Sequence, residues 1–262
     1  MANLQQLLHG KETAENTKVN GVTLGIFSSP VNGHKIELIA NFRSNKKLGN
    51  DFIQLSILAL DGDYSDNSAS RSAICGTCPF KLNGACYAKD QGLTKIKSEY
   101  LKGKYKPMDL DVFLAISKNY NIRFGRFGDL SLIPFEVVDS IAQNCKGFTG
   151  YTNQWRSSYY DPRFNSIFML STVGEKDSKA AFKKYPNARQ FKVIKSTENY
   201  IDDIKTGFIT CPSQKGFLCS DCLLCDGQTA KKATYNIEVK VHGLSYKINR
   251  TNKLLKNDKK DL

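Results

Sequence analysis

Seven of the eight cysteines fall in two tight groups, Cys75-x2-Cys78-x7-Cys86 and Cys211-x7-Cys219-x2-Cys222-x2-Cys225, and no other feature constrains the chain as strongly. A disulfide framework would suit a short secreted chain. This one has 262 residues, 40% of them hydrophobic, enough to bury a core without covalent staples. The opening residues, Met-Ala-Asn-Leu-Gln-Gln-Leu-Leu, lack the basic segment, long apolar run and cleavage signature of an export signal. No stretch approaches the roughly 18 to 20 apolar residues of a membrane helix. The expectation is a cytoplasmic protein without a membrane partner, in which reduced thiols are free to bind metal.

The spacing distinguishes among metals. Structural zinc takes two C-x2-C pairs or a pair plus histidines. Three thiols in C-x2-C-x2-C with a remote Cys-Pro, here Cys211-Pro212, parallel the ligand pattern of bacterial ferredoxins, although the Cys-Pro comes first in this chain. An iron–sulfur cluster of the 4Fe-4S type, a zinc ion and a set of free buried thiols all remain open for this group. In the first group Gly76, Pro79 and Gly84 favour turns that point sulfurs inward. Three thiols without an evident fourth fit a cubane with one open iron, a zinc with an open position, or a site completed from elsewhere. Cys145 is one such completion, against its plainer reading as a small buried hydrophobe. His242 follows a strand and reads as a structural or surface residue that could reach a site, while His9 and His34 have no evident role.

The hydropathy pattern supplies the scaffold. Strands at 22–27 and 35–42 flank turn residues 30–33 as a hairpin, and a strand at 52–60 runs into a polar loop over 61–72. Beyond it, helices at 93–102, 110–117, 135–144 and 176–184 alternate with strands at 122–127, 147–151, 167–170, 191–194, 208–210 and 237–241. The predicted class is α/β, a complete or partial (βα) barrel in which cysteine-bearing segments follow strands. It divides into an N-terminal β-hairpin extension (1–48), a barrel-like domain with two Cys-rich metal-binding loops (49–248) and a basic tail expected to fray (249–262).

Two further segments carry chemistry. Arg123-Phe-Gly-Arg126-Phe-Gly-Asp129 joins two guanidiniums and an acid to glycines that admit a ligand, and it reads equally as a strand whose arginines pair with Asp129. Tyr151, Gln154 and Trp155 offer rings and an amide that suit a nucleobase, or ordinary aromatic packing. The formal net charge of +13 makes single-stranded nucleic acid the natural partner to expect, with a generally basic solvated surface as the plain alternative. No G-x4-G-K-S/T loop, dinucleotide G-x-G-x-x-G or H-E-x-x-H helix is present.

Taken together, the C-x2-C-x7-C-Tyr loop, Arg126-Phe-Gly-Asp129, Gly150-Tyr151-Thr152-x-Gln154-Trp155 and the block from Cys211-Pro212 to Cys225-x-Gly227 resemble a family of uncharacterised proteins encoded by phages and plasmids, over residues 50 to 243. That resemblance implies the cytoplasm of a host cell. More distantly, a cysteine loop after the first barrel strand is similar to the radical S-adenosylmethionine enzymes, whose three cysteines hold a cubane with one iron open to the cofactor. Those enzymes use C-x3-C-x2-C, so the match departs in spacing. The analogy implies Cys75, Cys78 and Cys86 as cluster ligands, the other four cysteines as an auxiliary site, and S-adenosylmethionine as a cofactor.

The resulting expectation is an iron–sulfur enzyme acting on nucleic acid or a nucleotide-like substrate, with Arg123, Arg126 and Asp129 at the substrate and Tyr151, Gln154 and Trp155 at the cofactor. The alternative is a non-catalytic nucleic-acid-binding protein whose loops are stapled by zinc or a cluster. A cysteine-nucleophile hydrolase lacks a histidine placed as its base. The sequence carries no signal for oligomeric state.

Overall fold

The computed structural model describes residues 21–42, 47–49, 51–62, 68–86, 88, 90–198, 207–227 and 235–257. Residues 1–20 of the expected extension, Tyr87 of the first cysteine motif and residues 258–262 of the expected tail lie outside the described residues.

The chain runs through β1 (Gly21–Ser28), β2 (Lys35–Asn41), β3 (Phe52–Ala59), α1 (Ala69–Cys75), α2 (Pro79–Leu82), α3 (Asp90–Leu101), β4 (Tyr105–Pro107), α4 (Leu110–Ser117) and β5 (Asn121–Phe127). It continues through α5 (Phe135–Asn144), β6 (Gly147–Thr152), β7 (Met169–Val173), α6 (Gly174–Lys184), β8 (Gln190–Ile194), β9 (Phe208–Thr210), α7 (Cys219–Cys222), β10 (Asn236–Lys240) and α8 (Ser245–Asn257). All ten strands form one sheet in the order β4-β1-β2-β3-β5-β6-β7-β8-β10-β9. β1, β2 and β3 pair antiparallel, and β3, β5, β6, β7 and β8 then pair parallel in that order. β10 lies parallel between β8 and β9, and β4 adds to the outer side of β1.

The fold is therefore mixed α/β with a mostly parallel sheet, as the alternation of strands and helices implied. The sheet is not closed, since β4 and β9 form its edges, so the complete barrel is not realised. The hairpin β1–β2 hydrogen-bonds to β3 and so continues the main sheet.

Burial follows from this layering. Every residue of β3 is buried, the mark of a strand covered on both faces. In α5, Val138, Ile141 and Ala142 fall at helical spacing and make its buried stripe. In α6, Glu175 and Asp177 occupy the first turn and Lys183 and Lys184 the last, each sign placed where the helix dipole favours it.

Three local expectations are corrected. Part of the polar loop is helical, because Ser68 accepts a hydrogen bond from the Arg71 amide at 3.0 Å and so caps α1. The stretch expected to fray from residue 249 is helical to Asn257, held by the buried side chains of Thr251 and Leu255. The short strand β4 was not anticipated; among the described residues its partner strand is β1.

Candidate metal centre

The three-cysteine loop follows β3, the first strand of the parallel run, and its backbone explains the spacing. Cys75 ends α1, and the Cys78 amide folds back onto the Cys75 carbonyl at 3.1 Å. Pro79 opens α2 directly after Cys78, where its missing N–H costs nothing. Eight residues later the chain returns, because the amides of Ala85 and Cys86 both donate to Phe80 O, at 2.8 and 2.9 Å. Gly76, between the first two thiols, has φ of +49°, and a Cβ there would lie 2.1 Å from Gln154 Oε1. Only glycine fits this turn without displacing the amide that holds it.

Gln154 fastens the loop from the next strands. Its Nε2 donates to Cys75 O (2.9 Å) and Asp129 Oδ2 (3.2 Å), and its Oε1 accepts from the Thr77 amide (3.2 Å) and Tyr159 hydroxyl (2.8 Å). Asp129 is buried and accepts in addition from the Asn153 amide at 2.7 Å, the Ser131 amide at 3.2 Å and hydroxyl at 2.9 Å, and the Thr152 hydroxyl at 3.2 Å. Burial pushes its carboxyl above the ordinary range, while these donors oppose the rise by favouring the ionised form. The Asp129 amide closes the set on Ile74 O at 2.8 Å.

β5 brings the arginines. Its pairing with β3 slips between Gln54 and Ser56, which face Arg123 and Phe127, and Gly125 takes φ of +85° within this bulge. Ordinary alternation would send Arg123 and Arg126 to opposite faces. The bulge brings both to the same cavity, while Phe124 packs edge-on against Phe148 and Phe168 in the core.

That cavity, of about 180 Å³, is lined by Cys75, Cys78 and Cys86 together with Arg71, Arg123, Arg126, Asp129 and Tyr151, by Lys240 of β10 and Lys247 of α8, and by His242 between them. Burial pushes the Cys75 thiol up to about 12, with Arg71 and Lys81 acting in the opposite direction. Cys78 is raised further, again mainly by burial and then by the other two cysteines. Lys81 is 5% exposed, and its ammonium donates to the Ser72 hydroxyl at 2.9 Å. No carboxylate among the described residues pairs with it.

The other four cysteines do not line the cavity. Cys211 follows β9, Cys219 and Cys222 sit one helical turn apart in α7, and Leu223 then turns the chain with φ of +47°, the one non-glycine described residue at positive φ. Arg189, buried, donates to the carbonyls of Leu224 (2.8 Å), Asp226 (3.0 Å) and Tyr235 (3.1 Å) and pairs with the Asp226 carboxylate. The Cys225 carbonyl accepts from the Gly150 amide of β6 at 2.8 Å, and its thiol faces the Tyr151 hydroxyl. Burial raises Cys225 and Cys219, and each is raised further by neighbouring cysteines of this group. Tyr151 thus touches Cys225 and also lines the cavity of the first three thiols.

The structure brings Arg123, Arg126, Asp129 and Tyr151 to the three-cysteine cavity. Gln154 holds the loop from behind and does not line it. Trp155 is 3% exposed, donates from its indole to Ser171 O at 2.9 Å and carries Arg156 over its ring at 4.0 Å, so it is a core residue turned away from the cavity. Cys145 contacts the carbonyls of Ala142 and Gly147 at 3.4 Å, and burial raises its thiol to about 12. His242 lines the cavity, with Nδ1 3.0 Å from Lys240 O. Sequence reasoning missed Arg71, Lys81 and Lys247. Arg71 and Lys81 carried a signal in their places beside the first cysteines, whereas Lys247 stands 161 residues from the Cys86 carbonyl it binds.

Among the described residues no set of three or more His, Cys, Asp or Glu side chains is arranged to hold a metal ion. The donor chemistry nevertheless fits a thiolate-bound metal. The donors are all soft sulfur, Cys211 and Cys225 are buried and the other five half-buried, and buried cationic side chains stand beside Cys75 to balance thiolate charge. None of the described helices is long and apolar enough to cross a membrane. Comparison with family models, with curated proteins and with solved structures gives no match.

Proposed function

We propose that this chain is an iron–sulfur enzyme with a partial (βα) barrel, acting on nucleic acid or a nucleotide-like substrate in the cavity beside Cys75, Cys78 and Cys86. The observation that carries the reading is the convergence of three thiols from one loop on a cavity that also receives Arg123, Arg126 and Asp129. Three thiols, with no fourth among the described lining residues, suit a cubane with an open iron, which when bound would hold a small molecule such as S-adenosylmethionine and pass it an electron. Cys211, Cys219, Cys222 and Cys225 would hold an auxiliary centre. A strand order that advances without reversal from β3 to β8 supports the partial barrel, because such winding gathers the loops after the strands at one end.

The chain's own residues have distinct roles in this account. Gln154 and the Cys78, Ala85 and Cys86 amides fix the loop. Arg123 and Arg126 orient an anionic substrate, and Asp129, held by its neighbours, keeps Asn153 and Gln154 in place at the cavity edge. The thiols require a reducing compartment, which supports the cytoplasm as location. The phage or plasmid origin and the likeness to radical S-adenosylmethionine enzymes remain part of this proposal.

The test is electron paramagnetic resonance of the reduced, anaerobically prepared protein with and without S-adenosylmethionine. A perturbed signal that disappears in Cys78→Ala supports the reading. An unperturbed signal favours the non-catalytic nucleic-acid-binding protein with stapled loops, for which the charge of +13 is the supporting observation.

A further inference from the structure

We propose that the wall of this cavity built by β10 and α8 seats the phosphate of a small phosphate ester, with Lys247 as its principal contact and the ester's apolar or aromatic body in the rest of the cavity. This rests on the reading of the cavity as a substrate site and narrows it to a substrate class; it does not depend on which metal the thiols hold.

Charge carries the first step. Among the described residues five cationic side chains line the cavity, Arg71, Arg123, Arg126, Lys240 and Lys247, with one carboxylate, Asp129. Asp129 accepts hydrogen bonds from Ser131, Thr152, Asn153 and Gln154. Even with all three thiols ionised the lining keeps a net positive charge, and any metal bound by them raises it. A cavity of this kind attracts an anion and disfavours a cation.

Lys247 carries the second step. It is 6% exposed, and its Nζ donates to two neutral carbonyls, Cys86 O and Ala88 O, the latter at 3.2 Å. Among the described residues no carboxylate pairs with it. A buried ammonium with only carbonyl partners lacks the counter-ion that burial normally demands. A phosphate in the cavity supplies one, and the ammonium has a third proton to donate. The remaining walls, which include Phe127, Tyr151, Phe191 and Val239, suit a planar or apolar body.

The ligand class is thus an aromatic or apolar body bearing a dianion, for which adenosine 5′-monophosphate is a direct probe. It should be titrated calorimetrically into the anaerobically purified full chain, beside adenosine and inorganic phosphate, with iron and sulfide measured on the same preparation. The nucleotide should bind at least about tenfold more tightly than the nucleoside. That advantage should shrink as salt rises. Lys247→Met should weaken nucleotide binding about tenfold or more and leave nucleoside binding unchanged, and Lys247→Arg should retain most of the affinity. Lys240→Met, at the end of β10, should act in the same direction and serves if Lys247→Met fails to fold. Equal binding of nucleotide and nucleoside, no binding of the nucleotide, or indifference to both lysine variants overturns the proposal. A nucleotide preference in protein free of iron and sulfide would sink the iron–sulfur reading alone, and iron-loaded protein without that preference would sink the phosphate seat alone.

Discussion

Replacing Gln154 by leucine keeps the volume of a fully buried side chain and deletes five hydrogen bonds, those to Cys75 O, Asp129 Oδ2, the Thr77 amide, the Thr77 hydroxyl and the Tyr159 hydroxyl. Each contributes about 1 kcal/mol net, and buried groups left without a partner cost about 1–3 kcal/mol each. The expected loss is about 3–5 kcal/mol, a large part of the roughly 5–15 kcal/mol that holds a domain folded. The cost should also depend on pH. Burial holds the Asp129 carboxyl above its ordinary 3.8, and the Gln154 amide is one of the donors that oppose this rise. A carboxyl raised in the folded state contributes stability that is fully present below about pH 3.8 and lost as pH rises through the folded value. Without the amide the folded value moves higher still, so the deficit of the variant should be larger at about pH 7 than at about pH 4. Urea unfolding at the two pH values, with iron retention followed in parallel, measures both effects. A loss under about 1 kcal/mol, or a deficit that grows on acidification, would refute the network as described.

Other substitutions probe neighbouring parts of the account. Trp155→Ala should cost about 3–5 kcal/mol in unfolding experiments, because its ring is core rather than ligand surface; a nearly unchanged stability with lost ligand binding would contradict this. Arg189→Met leaves the half-buried Asp226 without its ion pair and frees the carbonyls of Leu224 and Tyr235, so stability should fall by about 3 kcal/mol or more, and any metal proposed for the four-cysteine group should be lost first, as read by metal analysis. Cys145→Ala should leave metal content unchanged, since that thiol hydrogen-bonds to the carbonyls of Ala142 and Gly147 and packs against the core, apart from both cysteine groups.

The alternation of strands and helices was legible where a strand is mostly apolar, as in β3, and where a crossover helix carries an amphipathic stripe, as in α5. The two cysteine groups were legible from spacing, since C-x2-C is a single turn of chain at both Cys75–Cys78 and Cys219–Cys222. The placement of Trp155 was not, because aromatic residues beside amides look alike in a core and at a ligand. Nor was the role of α8: its polar, lysine-rich sequence resembles a tail, yet it packs on the three-cysteine loop through Lys247 to Cys86 O and Arg250 to Gly84 O, and it buries Leu255 in the cluster that holds Val193 and Val239. Such long-range pairings leave no local period in a sequence. The β5 bulge escaped for a related reason, since the slip in register is a property of the pair β3–β5 and not of either strand alone.

The central claim is that the seven grouped thiols hold iron and sulfide at two separate centres. Anaerobic purification followed by iron, sulfide and zinc analysis with a visible spectrum tests it directly. The account predicts brown protein with about eight irons and eight sulfides per chain, falling to about half in Cys78→Ala and in Cys222→Ala separately. Colourless protein with stoichiometric zinc, or loss of all the metal in either single variant, would contradict it.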